Sequence, residues 1–178
     1  PAGAIDMPPN QELPVYPMTA RDEITYRTPD ALFNGSAVVS VIKSCVPNIK
    51  NAWVVPSTDL DTILVGIRIA TYGHDLEINC VCPKCTNEDR YTTDLRGSID
   101  LMGAADYRTP LINRDMEIYF RPMNYKNLND NNQLQFEQQK LLQMLPDADV
   151  PDEKKMSALG SALKRITDIT VQALGYSI

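Results

Sequence analysis

The spacing of apolar residues divides the chain into four stretches. Residues 1–18 have no period and carry Pro1, Pro8, Pro9, Pro14 and Pro17. Proline at that density prevents regular helix or central strand, which predicts an extended arm lying on another surface. From Thr19 the pattern turns helical. In "TARDE" Thr19 stands as N-cap before Asp22 and Glu23, and "TPDALFNG" predicts a helical turn opened near Asp30 and closed by Gly35. In "SAVVSVIKSC" Val38, Val41, Ile42 and Cys45 recur at helical spacing, ended by Pro47. "STDLDTILVGIRIATYG" is the clearest helix. Ser57 caps it, acids fill its first turn, and Leu60, Ile63, Leu64, Ile67 and Thr71 mark one face. Gly73 suits the left-handed position that ends it. Val65 and Ile69 make it apolar nearly all round, which predicts the buried central helix.

The period then becomes two. "DLEINCVC" and "RYTTDL" alternate as strands joined by "PKCTNED", giving a Cys-rich hairpin over 75–95. "TPLINRDMEIYFRP" predicts a second hairpin turning at Asn113 to Asp115. After Pro122 the chain is helical again. "NYKNLNDNNQLQFEQQKLLQML" is amide-rich, carries Leu134, Leu141, Leu142 and Leu145 on one side, and is stopped by Pro146. A last helix from about Asp152 repeats Met156, Leu159, Leu163, Ile166, Thr170 and Ala173 at alternating spacings of three and four, a heptad seam. The expected class is α+β. It has a Pro-rich arm (1–18), a small helical core with one or two β-hairpins (19–122), and a C-terminal helical pair (123–178) that docks on the core or on another subunit.

Charge narrows the function classes. With 23 Asp and Glu against 17 Lys and Arg the net charge is −6, which argues against a broad basic surface for nucleic acid. No apolar run approaches the roughly 20 residues that span a bilayer; the longest, Ile63 to Ile69, is interrupted by Arg68. Nothing resembles a signal peptide, so the default compartment is the cytosol or an assembly made there, where disulfides are disfavoured. The start at Pro1 without methionine, and the end at "GYSI", suggest a piece of a longer polypeptide.

The candidate chemistry is in "CVCPKC", which places Cys80, Cys82 and Cys85 together in a chain with four cysteines. A Cys-Pro-x-Cys turn between two strands is the knuckle of zinc ribbons, with both sulfurs aimed inward and backbone amides behind them. A full ribbon needs two such pairs, and this chain has one. Cys80 shares a strand face with Cys82 and can reach a metal near the tip with some strain. His74, the only histidine, lies eight positions before Cys82, about 26 Å along an extended strand, and is a poor ligand. Cys45 can approach from elsewhere, so Cys45, Cys80, Cys82 and Cys85 are the one all-cysteine tetrad, expected to hold structural zinc. The competing reading makes a free cysteine a small buried hydrophobe, which suits Cys45. For Cys82 and Cys85 the metal reading is favoured, because exposed tip thiols otherwise invite oxidation. A thioredoxin-like role is the weakest, since such motifs open a helix.

Catalytic signatures do not emerge. The sequence has no Gly-rich phosphate loop, no HExxH and no GxSxG. Nothing near His74 suggests a nucleophile, and the helix dipole explains Asp59 and Asp61. The expectation is a non-enzyme.

Finally, "ELPVYPMTARDE", "TPDALFNG", "IKSCVPNI", "IRIATYG", the "CPKC" knuckle and "RPMNYKNLNDNNQLQFEQQK" together resemble the T4-type bacteriophage baseplate hub family, from about Gln11 to at least Lys140. The family knuckle matches Cys82 and Cys85, and its "SCVPNI"-like segment matches Cys45; the resemblance does not place Cys80. Family members also extend beyond both ends of this chain. The resemblance implies a structural, non-enzymatic part of a contractile-tail baseplate hub. Its partners would be other tail and hub proteins, and the tape measure protein, in an oligomeric assembly. It would reside in the virion, after assembly in the host cytoplasm, and bind neither nucleic acid nor membrane. Two alternatives compete: a tail assembly chaperone for the tape measure protein, absent from the mature virion, and a zinc-ribbon nucleic-acid-binding module. Acidity and the lack of Arg-aromatic interleaving count against the latter.

Overall fold

The computed structural model of the chain describes residues 4–103, 106–144 and 151–178. Pro1, Leu145 and Pro146, named in the expectations above, lie outside them. Among the described residues the architecture is α+β, with seven α-helices and two two-stranded antiparallel hairpins.

Helix α1 (Ala20–Tyr26) starts where the sequence places it. Thr19 and Asp22 form a capping box: Asp22 N–H donates to Thr19 Oγ1 at 3.3 Å, and Thr19 N–H donates to Asp22 Oδ2 at 2.9 Å. The pair satisfies two backbone donors, one of them among those the first turn leaves orphaned. Helix α2 (Pro29–Phe33) is a short helix with proline at its first position. Gly35 then serves as N-cap of α3 (Ser36–Cys45) at φ +75°, a conformation that glycine adopts without steric cost.

Helix α3 holds the centre. It buries Ala37, Val38, Val41, Ile42 and Cys45, and Val46, Ile49, Ala52 and Val55 continue the core through a 3₁₀ turn at Ala52–Val54. Helix α4 (Ser57–Tyr72), expected to be the buried one, covers fully only Leu60 and Ile67, with Ile63 and Leu64 packed partly against the core. An apolar circumference buries a helix only if elements exist to surround it, and here the N-terminal segment supplies just part of that cover. Ser57 is not its cap either. Pro56 occupies the N-cap without a side-chain bond, and Ser57 N–H donates instead to Met123 O at 2.7 Å. Gly73 ends α4 with positive φ, +87°, but with an extended ψ of 174° rather than a left-handed turn, so the chain runs straight on into a strand.

Residues 4–18 lie along the chain's own core. Ile5 bridges Ile49, Tyr16 N–H donates to Cys45 O at 2.8 Å, and Met18 N–H donates to Thr71 Oγ1 at 3.0 Å. Leu13, Val15 and Met18 pack on the hydrophobic cluster.

Strands β1 (Asp75–Val81) and β2 (Glu88–Asp94) pair antiparallel from Asp75↔Asp94 to Val81↔Glu88. A helix the alternation concealed follows: α5 (Leu95–Leu101), capped by Asp94, which accepts Arg96 N–H at 2.9 Å. Leu95, read from the sequence as the strand end, is its buried first residue. Strands β3 (Leu111–Asn113) and β4 (Met116–Ile118) make the second hairpin around Arg114, at φ +56°.

Helices α6 (Tyr125–Met144) and α7 (Asp152–Tyr176) pack on each other. The first half of α6 also belongs to the core: Tyr125 is buried, stacks on Trp53 at 5.5 Å, and its N–H donates to Val55 O at 2.8 Å. On α7 the packed face is displaced from the expected seam. Ala162 and Ile169 are buried, with Ala158, Ile166 and Ala173 half-buried, while Met156, Leu159, Leu163 and Thr170 are exposed. Small alanines allow close approach to α6 that leucines would prevent. No helix among the described residues is long and apolar enough to cross a membrane.

Candidate functional site

Two features present chemistry or binding surface to the outside. The first is the β1–β2 hairpin. Its base is held by Leu95 N–H on His74 O at 2.9 Å, and by the Arg68 guanidinium on Gly73 O and Asp75 O at 3.1 and 3.3 Å. Beyond the base it stands clear of the core. Only Leu76 and Thr93 among its strand residues are even half-buried, and the cross-strand pair Ile78–Tyr91 is exposed.

At the tip, Cys82 N–H donates to Asn87 O and Thr86 N–H donates to Cys82 O, both at 2.9 Å. Thr86 sits at φ +56°, where a β-branched residue is strained by about 1–3 kcal/mol. The turn directs the N–H groups of Cys85 and Lys84, and the Cys85 thiol, to the sulfur of Cys82, and these bonds draw its pKa below the ordinary 9.0. The closed turn thus brings Cys82 and Cys85 to one tip.

The other sequence candidates lie apart from that pair. Cys80 is exposed on β1 opposite Asp89. Cys45 is fully covered in the helical core, where burial pushes its thiol up and the negative charge of Asp22 adds to the shift. His74 Nε2 lies 3.6 Å from Asp75 Oδ1. Among the described residues no three His, Cys, Asp or Glu side chains gather in a metal-holding group, so one chain does not assemble the four-cysteine set in this structure.

The second feature is the outward face of α7. With 3.6 residues per turn, Met156, Leu159, Leu163, Val171 and Leu174 align on one side, all exposed, and Ile178, just past the helix end, is exposed as well. Thr167 falls between them. Lys154, Arg165 and Asp168 project from the opposite side, and Lys164, seven residues before Val171, stands at the edge of the stripe. The side turned to α6 is the reverse: α6 buries Asn131 and Gln138, and Gln138 Oε1 has no hydrogen-bond partner among the described residues. Arg121 fixes the far end of α7, its N–H donating to Ser177 O at 2.8 Å and its Nε to Tyr176 O at 3.2 Å. Sequence reasoning placed Met156, Leu159 and Leu163 in a seam for the core or another subunit. It missed Val171 and Leu174, which the 3.6-residue period links to them. It also missed the strain at Thr86, for which a non-glycine residue directly after the Cys-x-x-Cys turn was the available signal.

A family model described as T4 bacteriophage base plate protein matches residues 7–165, which include the knuckle and run into α7. No curated protein and no solved structure matches the chain.

Proposed function

The chain belongs to the T4 bacteriophage base plate protein family, and from that premise we propose that it is a non-enzymatic structural component of the contractile-tail baseplate hub. Membership supports assembly with other phage tail proteins and a place in the tail baseplate. The finer reading rests on the outward face of α7. A surface helix normally turns its apolar stripe to the core and its polar side to water. Here α7 exposes Met156, Leu163 and Leu174 while its partner α6 buries amides. An exposed apolar face of that length is a contact surface for a neighbouring protein, and the matching chemistry is an amphipathic helix of another tail protein. Co-expression with the tail proteins of the same phage should yield a stable complex. A monomer that binds none of them, yet turns over a small molecule, would end this reading.

The same stripe also suits a chaperone that holds apolar tape-measure helices and then departs. Mass spectrometry of purified virions separates the two: presence in the virion supports the hub component, whereas absence from virions with tape-measure binding in infected cells supports the chaperone.

A further inference from the structure

We propose that Cys82 and Cys85 are half of a four-thiolate zinc site, which two copies of the chain complete by bringing their hairpin tips together.

The pair has the donor chemistry of a structural zinc knuckle and only half of the required number. Zinc in a structural site takes four ligands in a tetrahedron, and thiolates satisfy it without help from oxygen or nitrogen. One tip supplies two, held side by side by the turn that Thr86 closes at φ +56°. Among the described residues nothing in the same chain adds a third. A turn strained at a β-branched residue persists only where something compensates for it, and this one closes through Cys82 N–H on Asn87 O and Thr86 N–H on Cys82 O around two thiols that stand outside the hydrophobic core.

The hairpin around the pair is equally incomplete. A lone two-stranded hairpin exposed on both faces is marginal in water, and β1–β2 exposes Ile78 and Tyr91 as well as its tip. Metal binding at such a tip contributes directly to its folding. A second copy is the occupant that fits, since it presents the same two sulfurs on the same protruding turn. A two-fold axis through one ion then places two pairs in a tetrahedron. Charge agrees. Four thiols lose their protons to solvent, and four thiolates around a divalent ion leave two negative charges. One exposed Lys84 from each copy, within the knuckle itself, offsets them.

The inference does not depend on the role of α7, and the test keeps the two apart. The reduced full chain is titrated with zinc chloride and followed by native mass spectrometry and sedimentation. The expected result is a doubling of mass with one zinc per two chains, reversed by a chelator. Cys82→Ser should lose both zinc and doubling, Cys80→Ser should keep both, and the helical circular dichroism of each should match the parent, because both positions lie on the exposed hairpin. Leu163→Lys, which alters only the α7 stripe, should also keep the zinc-dependent doubling. One zinc on a single chain, no zinc uptake, or a doubling indifferent to chelator would each overturn the proposal.

Discussion

Asp22 shows how much a single side chain joins. Its Oδ2 accepts from the Thr19 hydroxyl at 2.7 Å, from Thr19 N–H at 2.9 Å and from the Ser44 hydroxyl at 2.9 Å, tying the start of α1 to α3. Burial pushes its pKa up, but the hydrogen bonds from Thr19 and Ser44, with the charge of Arg21, together outweigh that and hold it below 3.8. Those bonds favour the ionised form only in the folded chain. Their contribution is therefore complete above the unfolded pKa and is lost as pH falls through the lower, folded value. Asp22→Asn should lose about 1–2 kcal/mol at neutral pH and should flatten the acid side of the stability curve. Urea midpoints at pH 7 and pH 3 check both parts; equal acid sensitivity in parent and variant would contradict the assignment. Gly35 is the second such position. A Cβ there would lie 2.7 Å from Asn129 Oδ1, at a φ of +75°. Gly35→Ala should cost about 1–3 kcal/mol, visible as a drop of about 2–4 °C in melting temperature for each kcal/mol. The capping box was legible because Thr19 and Asp22 are three residues apart and the chemistry is local. Gly35 was legible as a turn but not as a close approach, because Asn129 meets it only through the tertiary fold.

At the scale of elements, period gave the helices and hairpins but not the way each helix is rotated. α7 carries two apolar faces, one rich in alanine and one rich in leucine and methionine, and hydropathy alone selects the second as the seam. The packing uses the first. The amides of α6 explain part of this choice: Asn129 Nδ2 donates to Asn34 O at 3.2 Å and Gln133 Nε2 to Phe33 O at 3.1 Å, so the polar side of α6 closes carbonyls at the end of α2. With Phe136 set edge-on to Phe33 at 5.1 Å, contacts that do not involve α7 fix the rotation of α6. The composition of α6 was plain in the sequence, and its use was not. Gln138 is the cost of that arrangement, since its buried Oε1 has no partner among the described residues. An unsatisfied buried carbonyl costs about 1–3 kcal/mol, so Gln138→Leu, of similar size, should raise stability by about 1 kcal/mol. Thermal melts of parent and variant decide it, and a lower melting temperature in the variant would mean that the amide has a partner.

At the scale of the molecule, the described residues form a helical core from which a hairpin tip and a helix face look outward. Of the expected four-cysteine set, the sequence could place only Cys82 and Cys85 together. Cys82 and Cys85 are joined by a four-residue turn, whereas membership of Cys45 required a tertiary contact that spacing cannot reveal, and the structure buries Cys45 in the core. The α7 face carries the last prediction. Leu159 and Leu163 are 38% and 52% exposed; lysine keeps an aliphatic stem over the covered part and carries its charge to solvent, so the change in stability should be about 0.5 kcal/mol each. Two charges in the middle of this apolar stripe would, however, be desolvated by any partner seated on it, a penalty of several kcal/mol if they stay unpaired. The double variant Leu159→Lys/Leu163→Lys should therefore fold and melt like the parent, yet fail to co-purify with tail proteins and fail to restore infectious particles to a phage lacking the parent gene. Cys82→Ser, which leaves the stripe intact, should retain the tail-protein contact. Full complementation by the double-lysine variant would show that this face stays bare in the baseplate and that the protein meets its neighbours elsewhere.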